Sequence, residues 1–185
     1  MEPTEISAGR LHLRPWQGSD EDAVYQACQD PDIQRWTRVP VPYRREDARL
    51  FVTVTSPQGW DAGTAASFAV LDATTGQLLA SVALFDIKDG DAEVGYWCVP
   101  GARGQGVVSE AVKAICRWGF AELGLARIEW AATVGNQASL AVARKCGFQE
   151  EGVARMGLVT RGVRHDGWRA ALLATDQLPQ QVQPR

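Results

Sequence analysis

Cysteine and histidine are scarce in this sequence. Its 185 residues include four cysteines, Cys28, Cys98, Cys116 and Cys146, and two histidines, His12 and His165. No two cysteines form a C-x-x-C pair, which argues against a zinc site or a disulfide scaffold and favours reduced thiols in a cytoplasmic setting. Two histidines supply no histidine-rich ligand set, so no metal is expected. A surplus of charge of one sign is also missing. Nineteen basic residues against 22 acidic ones leave a formal net charge of −3, which gives no support to nucleic-acid binding through a basic face. No apolar run approaches the length needed to cross a bilayer, and the first residues lack the basic-then-apolar order of a signal peptide. A membrane partner is therefore not expected. Internal repeats and a domain boundary are absent as well.

What is present is an ordinary globular composition, 45% hydrophobic and 22% charged, in a chain long enough for one well-buried α/β domain and short for two. That domain is expected over residues 1–177, with a polar, proline-containing tail at 178–185 that frays. Leu11 and Leu13 alternate with polar neighbours as in a strand ended by Pro15. Helices are expected from Ser19 or Asp20 to about Cys28, from Asp30-Pro31 to Trp36, and over residues 44–55, the last stopped by Ser56-Pro57-Gln58-Gly59. Residues 66–71 and 78–86 read as a hairpin, followed by a strand over 92–98. Residues 109–123 carry a helical stripe, Val108, Val112, Ile115, Gly119 and Leu123, broadened by Ala111 and Trp118, that suits packing on a sheet. A strand over 127–133, a helix over 136–146 and a strand over 148–154 follow, and a strand over 166–175 is expected to close the sheet. Hairpin-built and βαβ-like parts together make the class mixed α/β.

The segment Val99-Pro-Gly-Ala-Arg-Gly-Gln-Gly-Val-Val-Ser-Glu110 joins a strand to a helix and is rich in glycine. Gly104 and Gly106 let a backbone close around a ligand. The loop amides and the open first turn of the helix point the same way, which makes an anion site for phosphates, and Arg103 can add positive charge. Glycine for turn geometry alone is the plain alternative.

Arg103-Gly104-Gln105-Gly106-Val107-Val108 resembles the acyl-CoA pyrophosphate loop, Q/R-x-x-G-x-G/A, of the GNAT superfamily of N-acyltransferases. Glu93-Val94-Gly95-Tyr96-Trp97 looks like that family's splayed central strand. Asn136-Gln-Ala-Ser139, then Arg144-Lys-Cys-Gly-Phe148 and Glu151-Gly152, is similar to the second signature of the RimJ/RimL-like branch, which acetylates ribosomal-protein N-termini. Residues 10–16 and 166–172 fit the same branch, so the resemblance covers nearly the whole chain. Val108 departs from the pattern, which has glycine or alanine there. The resemblance implies a mostly antiparallel, splayed sheet flanked by helices, acetyl-CoA or another acyl-CoA as co-substrate, and an amine acceptor, either a protein N-terminus or a small molecule. The chain is expected as a monomer or homodimer.

Acyl transfer from a thioester to an amine needs the donor held, the ammonium deprotonated and the departing thiolate neutralised. Val99, Gly101, Arg103, Gly104, Gln105, Gly106, Val107 and Val108 are the candidates for the first, with Asn136 contacting the pantetheine region in the resembling branch. Glu93 is the candidate base. Alternation puts it on one face with Gly95 and Trp97, where partial desolvation would raise its pKa; a salt-bridged strand glutamate is the competing reading. Ser139 is the candidate for the leaving thiolate, with Tyr96 its rival, and Asn136 also reads as a plain helix N-cap. Trp36, Tyr43 and Trp60 fall in the region that walls the acceptor pocket in this fold, though tryptophans mostly pack. Asp166 could orient substrate or stabilise a turn. Cys98 and Cys146 read as inert thiols. A non-catalytic acyl-CoA-binding module would need the loop but neither Glu93 nor Ser139. A dinucleotide or P-loop site is excluded because G-x-G-x-x-G spacing and a terminal Gly-Lys-Ser/Thr are missing.

Overall fold

The computed structural model describes residues 1–176, so the expected tail at 178–185 lies outside the described residues. Eight strands form one sheet in the order β1-β2-β3-β4-β5-β6-β8-β7. They are β1 Ile6–Ala8, β2 Leu11–Pro15, β3 Ala66–Asp72, β4 Leu78–Lys88, β5 Asp91–Cys98, β6 Arg127–Thr133, β7 Gln149–Thr160 and β8 Val163–Leu173. Every neighbouring pair is antiparallel except β5 with β6. This is the mixed, mostly antiparallel sheet that the sequence leads one to expect.

The β5–β6 pair decides what the sheet can do. It is hydrogen-bonded only over Asp91↔Arg127, Ala92↔Ile128 and Glu93↔Glu129. Beyond Glu93 the strands part, and residues 94–98 lose any partner on that side while keeping β4 on the other. A wedge between the strands exposes backbone polar groups that a closed sheet would have consumed.

Helices α5 Val107–Glu122 and α6 Gln137–Cys146 cover one face. The core there includes Phe68, Leu84, Val94, Ile115, Ile128 and Trp130. Along β6, burial alternates strictly, with Ile128, Trp130 and Ala132 inward, as the sequence pattern predicts. Gly119 lets α5 approach the sheet closely: a Cβ there would stand 2.7 Å from Leu84 Cδ1 and 3.1 Å from Leu125 Cδ1. The other face carries α1 Glu21–Ala27, α2 Pro31–Trp36 and α3 Arg45–Leu50 over a second cluster with Trp16, Val24, Ile33, Tyr43 and Val52.

Four expectations are corrected. A first strand, β1, precedes the expected one; it is three residues long, too short to show a period. Pro57 does not stop the third helix. The chain makes one π-helical turn over Phe51–Thr55 and continues as α4 Ser56–Ala62, with Pro57 in its first turn, until Gly63 ends it at φ +70°. A proline there removes an N–H that the helix start leaves unpaired anyway. The strands expected at 148–154 and 166–175 are longer and meet at an Arg161-Gly162 turn. Finally, β8 does not close the sheet; it lies between β6 and β7, and β7 is the edge.

Candidate functional site

Strand alternation places Glu93, Gly95 and Trp97 on the α1–α3 face and Val94 and Tyr96 on the α5–α6 face. The sheet at its fork thus presents a carboxylate on one side and a phenol on the other.

Glu93 is half-buried, its side chain 17% exposed, with Arg38 Nη2 3.3 Å and Arg169 Nη1 3.8 Å from its oxygens. Burial raises its pKa above the usual 4.5, and the two arginines oppose that rise. Glu93 is thus ion-paired, and its burial leaves its pKa raised despite the two arginines. On the other face, Tyr96 Oη and Ser139 Oγ are 2.9 Å apart. Trp130 Nε1 donates to Tyr96 Oη at 3.0 Å and lies 3.3 Å from Ser139 Oγ. Burial pushes the Tyr96 hydroxyl up to about 12, against the pull of its two partners, so it remains a proton donor at neutral pH. The two rivals for the thiolate thus form one hydrogen-bonded unit. Asn136 caps α6, its Oδ1 accepting from Ser139 N at 3.2 Å, and the cap fixes the turn that carries Ser139.

The glycine loop follows β5 directly. Gly104 and Gly106 have φ +74° and +80°. A Cβ on Gly106 would meet only Glu110 Oε1 and Lys145 Nζ, at 3.6 and 3.7 Å, and one on Gly104 nothing within 4 Å. The glycines are therefore required by backbone conformation, not by crowding. The amides of Gly104, Gln105 and Gly106 have no acceptor among the described residues, and the first amides of α5 lie beyond them. Val108 sits inside the first turn of α5 in helical backbone, where a side chain is tolerated, which explains the departure from glycine or alanine. Val107 is buried beneath it.

The loop residues differ in what they have left to offer. Val99 is committed: its amide donates to Leu79 O and its carbonyl accepts from Ala102 N, both at 3.0 Å. Gln105 Nε2 donates back to Gly101 O at 2.7 Å, and its own carbonyl accepts from Arg10. Arg103 is corrected as a free phosphate ligand, because its guanidinium pairs with Asp30 and Asp32 and so fastens the loop to α2. The cations near the loop that sequence reasoning passed over are Lys145 and Arg10; both lie in segments that resemble the family, but only the fold brings them beside the loop, from α6 and from just before β2.

Of the acceptor-side candidates, Trp36 lines a cleft of about 430 Å³ with Arg35, Thr133, Val134, Thr160, Arg161, Val163 and His165. Trp60 and Tyr43 do not reach it. Trp60 is 1% exposed, edge-on to Phe68 in the core; Tyr43 is buried in the second cluster beside Cys28. Both are large aromatics on inward helix and loop positions, and packing claims them. Asp166 Oδ1 accepts from Met156 N at 2.7 Å, holding the β7 bulge where Met156 has φ +51°. That is the structural role weighed for it.

Residues 10–149 match the family model for the acetyltransferase (GNAT) domain. The chain belongs to the GNAT acetyltransferase family. This GNAT chain is 43% identical over 75 residues to YdaF of Bacillus subtilis, by name a candidate ribosomal N-acetyltransferase; the match covers 40% of this chain and 41% of that protein's length. In structure it resembles a candidate ribosomal-protein-serine acetyltransferase from Vibrio cholerae, with TM-score 0.84, 25% identity, and 94% and 99% of the two chains covered. RimL, a ribosomal L7/L12 α-N-protein acetyltransferase solved in complex with coenzyme A, shares the fold, with TM-score 0.83, 23% identity, and 92% and 98% covered. Among the described residues no helix is long and apolar enough to cross a membrane.

Proposed function

We propose that this protein is an N-acetyltransferase that moves the acetyl group of acetyl-CoA to a primary amine by direct attack, with a protein amino terminus as acceptor. The observation that carries this reading is the fork itself: Glu93 on one face of the parted strands and the Tyr96–Ser139 pair on the other. Family membership and the ribosomal acetyltransferases among the relatives support the acceptor class.

The residues fit an acyl-CoA. Free loop amides at Gly104–Gly106 and the start of α5 suit a pyrophosphate, with Lys145 and Arg10 adjacent. The unpaired edge of residues 94–98 offers an extended strand on which an amide-bearing arm can pair. Bound there, acetyl-CoA supplies an activated thioester. Glu93 accepts the ammonium proton on the α1–α3 face, Arg38 and Arg169 fixing its orientation. Tyr96 and Ser139 hold a donor on the opposite face for the departing sulfur. Proton removal and proton supply thus occur on opposite sides of the strand edge.

The test measures thiol release from acetyl-CoA and succinyl-CoA against peptide amino termini and small amines. Acetyl-CoA with peptides is expected to turn over fastest. Tight acetyl-CoA binding without acetylation of any amine would favour a non-catalytic binding module instead.

A further inference from the structure

The cleft beside Trp36 is lined by two arginines and, among the described residues, by no carboxylate. Several arginines elsewhere in the molecule meet carboxylates, among them Arg14 with Asp20, Arg45 with Asp22, Arg127 with Glu151 and Arg144 with Glu150. Arg35 and Arg161, in the cleft lining, meet none among the described residues. Arg35 stacks over the ring of Trp36 at 4.5 Å. Arg161, at the tip of the β7–β8 hairpin, is held by Nη1 donating to the carbonyls of Thr37 and Val39, both at 3.3 Å. Its other donors have no partner among the described residues. His165 adds a third nitrogen-bearing side chain, and Thr133 and Thr160 add hydroxyls, while among the described residues no carboxylate lines the cleft. Neighbouring Asp166 points to the opposite face of β8 by alternation, with Oδ1 held by the Met156 amide. Positive charge is therefore concentrated and pre-positioned here, in a chain whose net charge is −3.

The cleft adjoins the candidate base. Arg38, one residue beyond Thr37, reaches Glu93, and Thr133 lies four residues along β6 from Glu129, the register partner of Glu93. Four residues of strand span about 13 Å. An extended peptide whose amino nitrogen stands at Glu93 covers that distance in about four residues.

We propose that the cleft is an acceptor subsite for a carboxylate: it selects peptides with an acidic side chain three to five residues from the amino terminus. Arg161 and Arg35 pair with that carboxylate, while Trp36, Val134 and Val163 cover the peptide's apolar surface. The inference rests on the acetyl-transfer reading above.

Octapeptides that differ only at residue four, as Glu, Gln or Lys, test it by initial-rate thiol release at saturating acetyl-CoA. The Glu peptide is expected to exceed the Gln peptide about tenfold in kcat/KM, with Lys lower still, and added salt should shrink the gap. Arg35→Gln and Arg161→Gln should each bring the Glu-to-Gln ratio toward one, whereas Arg161→Lys should retain part of it. Because Arg161 also braces the hairpin, Arg35→Gln keeps the test informative if Arg161→Gln misfolds. Equal kcat/KM for the three peptides, or a ratio untouched by Arg35→Gln, overturns the subsite and leaves acetyl transfer standing. Turnover of anionic small amines with none of any peptide overturns the peptide assignment. No turnover of any amine removes the acetyl-transfer reading, and the subsite with it.

Discussion

Glu93→Gln separates a base from an ion-pairing strand residue. The replacement keeps the shape and one acceptor oxygen but removes the proton affinity together with the charge that faces Arg38 and Arg169, each of which lies against a different carboxylate oxygen. General-base catalysis contributes about 10²–10⁴-fold, or about 2.7–5.5 kcal/mol of barrier, and the rate should fall by that factor near neutral pH. The pH dependence has a definite sign. Burial holds the Glu93 pKa above 4.5, and the carboxylate is the active form, so wild-type activity should rise with pH through a value above that of an ordinary glutamate. In Glu93→Gln that limb disappears, and the deficit shrinks as pH approaches the amine's own pKa of about 8. Stability moves the other way. A carboxyl whose folded pKa is raised binds more protons folded than unfolded, so its contribution falls as pH rises from the unfolded value through the folded one. Above that window the charge costs stability, and Glu93→Gln should not lower Tm at neutral pH. Stopped-time thiol release across pH and thermal melts of both proteins decide the matter. Near wild-type turnover together with a lowered Tm would make Glu93 a structural ion-pair partner and refute the assignment.

Ser139→Ala and Tyr96→Phe should each reduce kcat without relief at high pH, and the double variant should lose much less than the product of the two, because they share one hydrogen bond; a fully multiplicative loss would mean separate roles. Gly106→Ala should weaken CoA affinity measured by calorimetry far more than Gly124→Ala, although both positions have positive φ, because only Gly106 opens the α5 amides; equal affinities would remove the loop from the CoA site. Gly119→Ala should destabilise by about 1–3 kcal/mol through overpacking against Leu84 and Leu125, lowering Tm by about 2–4 °C per kcal/mol with little change in KM for acetyl-CoA.

The parts of the fold legible in the sequence are those with a single clear period. β6 reads strictly alternating because one face is buried and the other is not, and α5 reads as one stripe because its opposite side meets solvent. The β7–β8 hairpin beyond residue 154 was illegible for the converse reason. Val159 and Val163 are about half exposed among arginines, so neither face is buried enough to impose alternation. The glycine loop, Glu93, Ser139 and Asn136 could be named as candidates because they fall in contiguous segments that resemble the family's motifs. Trp60 and Tyr43 were misplaced since an aromatic has the same appearance in sequence whether it lines a pocket or fills a core.

Arg103 shows where motif reading stops. The loop pattern accounts for a cation at that position, and the expectation of phosphate contact follows from it. Asp30 and Asp32, more than seventy residues earlier, claim that cation through the fold. The consequence is a mechanical link: the loop that would hold the donor is fastened to the first turn of α2, whose last turn carries Arg35 and Trp36. Asp30 is held below the usual carboxylate range; burial opposes this, but the hydrogen bond from Arg103 and the α2 backbone amides outweigh it. The same aspartate caps α2 through Ile33 N at 2.9 Å. One carboxylate therefore sets both the start of α2 and the position of the glycine loop, so the proposed acceptor and donor sites share a common joint.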